Sequence, residues 1–76
     1  MQNLLIKIAQ ALVDYPEQIS VNEIEGDQIV ALELRAAKSD MGKIIGKKGK
    51  NVNAIRTVLN AASTKTGKKH VLELVE

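Results

Sequence analysis

The sequence has no cysteine, phenylalanine or tryptophan, and only one tyrosine, one proline and one histidine among its 76 residues. Without cysteine, neither disulfides nor a thiolate metal site can reinforce a small core. The single histidine, His70, has no second imidazole with which to share a metal. There is no thiol nucleophile, and no carboxylate in the most basic stretch to act as a base, so catalysis is not expected. The lack of aromatic rings excludes the RNA and single-strand readers that stack bases on a sheet of Phe, Tyr or Trp side chains. No apolar stretch approaches the ~20 residues needed to cross a bilayer. Residues Met1 to Ile8 lack a basic leader and Lys7 interrupts their apolar run, so this segment does not read as a signal peptide. A cytoplasmic protein with no membrane association, no cofactor and no metal is expected.

What is present is unevenly placed. Residues 1–40 carry three basic and seven acidic side chains, and residues 41–76 carry eight basic and two acidic ones. No acidic residue occurs between Asp40 and Glu73. A net charge of +2 therefore hides an acidic first half and a basic second half, which suggests an anionic partner for the latter. Charge alone favours the plainer reading, a lysine-rich solvated face.

Leu5, Ile8 and Leu12 share one stripe over residues 2–13, with Leu4 and Ala11 beside it, which predicts an amphipathic helix. Tyr15-Pro16 ends it, because the residue before proline is pushed out of the helical region. Ile19 to Glu25 reads as a strand with imperfect alternation. Ile19 and Val21 share a face and Ile24 falls on the other, so a bulge or an early turn is allowed. Glu25-Gly26-Asp27-Gln28 is a turn. Ile29 to Ala36 is a second strand, with Val30, Leu32, Leu34 and Ala36 on one face and Glu33 and Arg35 on the other. Ser39 can cap a short helix over Met41 to Ile45, which Gly46 ends. A longer helix runs from Lys50 to Thr66, with Val52, Ile55, Leu59 and Ala62 on its buried stripe. Gly67 stops it, and Val71 to Val75 is the last strand, parallel to the second if adjacent to it. The order is α-β-β-α-α-β, a three-stranded mixed sheet with helices on one face.

The segment with most chemistry joins the last two helices. Glycines at 46 and 49 allow unusual backbone angles and remove side chains that would hold a ligand away. Lys47 and Lys48 between them must project into solvent. The start of the Lys50 helix offers uncapped N–H groups and the positive end of its dipole, a ready site for phosphate.

Residues Gly42-Lys43-Ile44-Ile45-Gly46-Lys47-Lys48-Gly49-Lys50-Asn51-Val52 resemble the KH signature: two aliphatic residues, a Gly-x-x-Gly loop, a basic residue and a β-branched aliphatic. The chain-wide order is similar to the type II, bacterial KH arrangement, over essentially all 76 residues, and its length resembles the small bacterial RNA-binding members. The resemblance implies an α+β type II KH fold forming one domain over 1–76. It implies that the loop clamps about four nucleotides of single-stranded RNA. It also implies self-association as a homodimer, pairing with a larger Jag-like RNA-binding protein, and an RNA-chaperone or post-transcriptional role.

The candidate RNA-binding residues are Lys43, Ile45, Gly46, Lys47, Lys48, Gly49, Lys50, Asn53 and Arg56. Ile45 and Val52 are core residues that can also floor a groove between the two helices and the last strand. Asn51 reads as a helix-start residue, Lys65, Lys68 and Lys69 as a helix-end cluster, and His70 as a surface residue at a strand start. Two alternatives stay open at this level: a protein-interaction module with incidental RNA contact, and a single-stranded DNA binder.

Overall fold

The computed structural model describes residues 2–75. Helix α1 (Gln2–Leu12) precedes strands β1 (Ser20–Glu25) and β2 (Ile29–Arg35). The short helix α2 (Met41–Ile45), the long helix α3 (Lys50–Thr66) and strand β3 (Lys69–Val75) follow. The strands lie in the order β1-β2-β3. β1 and β2 are antiparallel, from Ser20 opposite Arg35 to Glu25 opposite Val30. β3 returns after both helices and runs parallel to β2, from Ile29 beside Lys69 to Arg35 beside Val75. The mixed sheet and the element order are those the hydrophobic pattern predicts.

Alternate residues of each strand build the core. Val21, Val30, Leu32, Leu34 and Leu72 face Leu5 and Ala9 of α1, Ile44 of α2, and Val52, Ile55 and Leu59 of α3. Each fully buried aliphatic side chain contributes roughly 1.5–3 kcal/mol of transfer free energy. The opposite sheet face is uncovered, and Ile24 and Ile29 are exposed there.

Several local expectations shift. α1 ends at Leu12, and its buried stripe is Leu5 and Ala9, while Leu4 and Ala11 are exposed. β1 needs no bulge, because its register with β2 is unbroken and Ile24 sits on the open face opposite Ala31. Ser39 does not cap α2. A 3-10 turn over Lys38–Asp40 precedes it, and Asp40 occupies the cap position without bonding its own helix. β3 begins at Lys69, two residues earlier than expected, which carries His70 inside.

Candidate nucleic-acid interface

The loop at 46–49 is built by backbone angles that its two glycines permit. The Gly46 N–H closes α2 by donating to the Gly42 carbonyl at 2.9 Å. Gly46 then turns to φ 78°, and a Cβ there would lie 2.7 Å from Asn51 Cγ and 2.8 Å from the Asn51 backbone nitrogen. No larger residue fits without moving α3. Gly49 adopts the left-handed conformation at φ 75° and caps α3. Between them the chain makes a 3-10 turn closed by Gly49 N–H to the Gly46 carbonyl at 3.1 Å. Lys48 takes φ 56°, and it is the only non-glycine with positive φ among the described residues. Lys47 and Lys48 are both exposed. The Lys50 N–H donates to the Lys47 carbonyl, so that amide is not bare as the sequence suggests. The amides of Lys47 and Lys48 stay outside these turn bonds, and no side chain caps the start of α3.

Around the loop the candidate residues separate into two groups. Lys50, Asn53 and Arg56 are exposed and recur at helical spacing along one side of α3. The Asn53 amide comes over Gly49, 3.6 Å from where a Cβ would stand. Lys43 lies apart from them. Its ammonium is ion-paired with Asp14 and sits 3.9 Å from Asp40. The hydrogen bond to Asp14 is the main cause of a Lys43 pKa above its ordinary value. Ile45 is 38% exposed beside the loop, and its neighbour Ile44 takes the core position. Val52 is buried beneath the loop.

A groove of about 220 Å³ opens between α3 and β3. Leu59 and Leu72 lie at its floor, and Arg56, Asn60 and the edge-strand residues Lys69, His70 and Val71 complete its lining. β3 is the edge strand here. Its Lys69 N–H donates inward to the Gln28 carbonyl, whereas the His70 N–H points outward and donates to Ser63 Oγ at 2.7 Å. Alternation along the strand then aims the Leu72 N–H and C=O outward over the groove. Of the candidate residues only Arg56 lines this groove. The sequence reading missed Leu59, Asn60, Lys69, His70 and Leu72. The signal was available: His70, Leu72 and Leu74 alternate as one inward face if the strand starts at Lys69.

Among the described residues no helix is long and apolar enough to cross a membrane. The bend carries two exposed lysines between its glycines, and the groove lies along α3 and β3, floored by Leu59 and Leu72 and not by the expected Ile45 and Val52. A family model described as KhpA/KhpB, KH domain, matches residues 2–74. The chain is 48% identical over 75 residues to the RNA-binding protein KhpA of Clostridium acetobutylicum, covering 99% of this chain and 100% of that one. It is 41% identical over 76 residues to the protein of the same name in Aquifex aeolicus, covering 100% and 96%. Its identity to that of Borreliella burgdorferi is 44% over 69 residues, covering 91% and 84%. No solved structure matches it. With the fold, the bend and nearly the whole length in agreement, this chain belongs to the KhpA/KhpB family of KH domains.

Proposed function

We propose that this chain binds single-stranded RNA in the cytoplasm without catalysing a reaction on it. The loop at 46–49 holds the sugar-phosphate backbone, and the α3–β3 groove admits bases. One observation carries this reading: two exposed lysines sit on a bend whose glycines bring the backbone within reach of a strand. Lys47 and Lys48 meet phosphate as point charges, with Lys50 and Arg56 extending the basic track along α3. Asn53 can bond a sugar or base. Ile45 offers apolar surface beside the loop. The curated relatives carry RNA binding in their names, which supports the same conclusion. Phosphate contacts fix position and carry no sequence information, so affinity from a single such loop is modest and salt-sensitive. An RNA-chaperone or regulatory role belongs to this reading.

Replacing Lys47 and Lys48 with Asp tests it. The expected result is loss of binding to a short single-stranded RNA, measured by fluorescence anisotropy, with the circular dichroism melt unchanged. Binding at normal strength by the folded variant overturns the loop assignment. Competition with a DNA oligomer of matched sequence separates RNA from single-stranded DNA, since only RNA offers a 2′-hydroxyl.

A second surface favours self-association. Ile8 and Leu12 of α1 and Ala54, Ile55 and Val58 of α3 line an apolar groove of about 160 Å³ on the helical side. A second copy of this chain, presenting the same helices, fits an isologous pairing that doubles the RNA contacts. Pairing with a larger Jag-like RNA-binding protein through the same surface is the heteromeric version. Sedimentation of the chain alone and of Val58→Asp tests the homodimer; a monomer in both refutes it.

A further inference from the structure

The α3–β3 groove holds one polar side chain with an unused bonding position. His70 is 9% exposed, and its backbone N–H is held by Ser63 Oγ, which itself donates to the Leu59 carbonyl at 3.0 Å. This clamps the start of β3 to α3 and fixes the ring's surroundings. Ring Nδ1 lies 3.0 Å from the Lys68 carbonyl oxygen. A carbonyl oxygen only accepts, so Nδ1 carries the proton, and in the neutral ring Nε2 is left as an acceptor. Among the described residues the ring makes no other hydrogen bond. Among the described residues no fully buried side-chain nitrogen or oxygen lacks a partner, so Nε2 keeps some access to solvent, and His70 is one of the residues that line the α3–β3 groove. Of the other residues that line this groove, Arg56 carries a donor and Asn60 a two-faced amide, while the Lys69 side chain alternates to the other face of the sheet.

We infer that His70 Nε2 selects the base in the groove by accepting a hydrogen bond from a base N–H. A base that presents a carbonyl or a bare ring nitrogen at that point brings two lone pairs together. It also strips Nε2 of water without replacing the bond, which is the costly case for a half-buried polar atom. Arg56 then satisfies an acceptor elsewhere on the same base. The inference rests on the RNA-binding reading above. It adds what the loop cannot supply, because phosphate contacts do not distinguish bases.

The test uses the full chain and short single-stranded oligoribonucleotides of one base each, compared by anisotropy at fixed salt. The unaltered protein should rank the four bases, with a spread of about tenfold, the size of one well-placed base contact. An analogue of the best-bound base, with the reading N–H replaced by C–H or N-methyl, should bind about tenfold more weakly. His70→Asn keeps a short amide that reaches the Lys68 carbonyl and offers nothing at the Nε2 position. In that variant the ranking should flatten and the analogue penalty vanish. His70→Gln, whose amide reaches the Nε2 position, should restore part of the ranking. Lys47→Ala with Lys48→Ala should weaken all four bases and leave their order intact.

Equal affinity of the unaltered protein for all four bases overturns the inference. So does an analogue penalty that survives in folded His70→Asn. Should His70→Asn fail to fold, the analogue series on the unaltered protein and on His70→Gln decides. If the unaltered protein binds no RNA at all, the underlying function fails and the base selection fails with it.

Discussion

The side-chain amide of Asn51 donates to the carbonyl of Lys43 at 2.9 Å, bridging the last turn of α2 to the first turn of α3. That carbonyl belongs to the set left without partners when a helix ends, and here a side chain from the next helix satisfies it. The same side chain packs against Gly46, so the shape of the 46–49 bend depends on one residue that need not touch a ligand. Asn51→Ala removes the bond and should cost about 1–2 kcal/mol in a denaturant melt. RNA affinity should fall with it. The dependence of affinity on salt should not change, because Lys47, Lys48 and Lys50 remain to release counterions. A smaller salt slope in Asn51→Ala would show that the altered bend no longer presents all of its lysines to phosphate.

Stability and function should pull apart at Lys48. Its φ of 56° places a side-chain-bearing residue in the left-handed region, at a cost of roughly 1–2 kcal/mol. Lys48→Gly relieves that strain but loosens the unfolded chain, for a net gain of about 0.5–1 kcal/mol. The same change deletes one ammonium, so the salt slope of RNA binding should drop by about one. A protein that melts higher and binds more weakly is the expected outcome. Paired thermal melts and salt-dependent titrations measure both halves.

The three glycines of the motif should respond differently to alanine. At Gly46 a methyl group meets Asn51 at 2.7–2.9 Å with φ already at 78°, and substitution should cost more than about 2 kcal/mol. Gly49 has φ 75° but ordinary clearance, with Asn53 Nδ2 at 3.6 Å, so only the backbone strain of roughly 1–2 kcal/mol applies. Gly42 sits inside α2 with nothing within 4 Å, and Gly42→Ala should stabilise by about 0.5–1 kcal/mol. The predicted order of melting points is Gly42→Ala, unaltered, Gly49→Ala, Gly46→Ala. Gly42→Ala melting below the unaltered chain would contradict the open space seen there.

Asp40 is the buried anchor of the site's far side. It is 1% exposed, and its two carboxylate oxygens accept the N–H groups of Asp14 at 3.2 Å and Tyr15 at 2.9 Å. These amides follow the end of α1, so Asp40 ties that helix to the start of α2. Asp40→Ala leaves two amides without acceptors in a place water reaches poorly, and should cost roughly 2–4 kcal/mol. Asp40→Asn keeps one acceptor and turns an NH2 toward the second amide, so an intermediate loss is expected. Chemical denaturation of the three proteins orders them.

The parts of this molecule that show in its sequence are those set by local period. Val30, Leu32 and Leu34 alternate over one strand, and Val52, Ile55 and Leu59 recur along one helix, so their faces can be read directly. Gly46 and Gly67 mark helix ends by the angles they allow. The phase of α1 is different: Leu4, Leu5, Ile6 and Ile8 permit two stripes, and only packing on the sheet selects Leu5 with Ala9. Ser39 reads as the cap of α2, but a 3-10 turn puts Asp40 at that position, and its carboxylate is drawn to amides 25 and 26 residues away. The Lys43 ion pair reaches Asp14, 29 residues distant, which no motif signals. His70 was hidden by a strand boundary placed two residues late, and the groove it lines was hidden with it.

Two surface ion pairs give the fold a pH profile with opposite limbs. Lys68 Nζ lies 2.6 Å from Glu25 Oε2 and 3.2 Å from the Gly26 carbonyl, tying the α3–β3 turn to the β1–β2 turn. The hydrogen bond from Lys68, and then its charge, lower the Glu25 pKa from its ordinary 4.5. A carboxyl depressed in the folded state stabilises fully above its unfolded pKa, and that stability is lost as pH falls through the folded value. Lys43, raised above its ordinary 10.5 by Asp14, behaves in the opposite sense. Its contribution is complete below the unfolded pKa and disappears as pH rises through the folded one. Both pairs are solvent-exposed, so each limb should be shallow and should shrink further in salt. Urea midpoints measured across pH should therefore show a plateau with a decline below about 4.5 and another above about 10.5. Glu25→Gln should flatten the acid limb alone and Asp14→Asn the alkaline limb alone. Asp14→Asn also frees Lys43 for phosphate, so its RNA affinity should rise at neutral pH with a salt slope steeper by about one. An unchanged slope would mean that Lys43 does not reach the strand and acts only to hold α1 against α2.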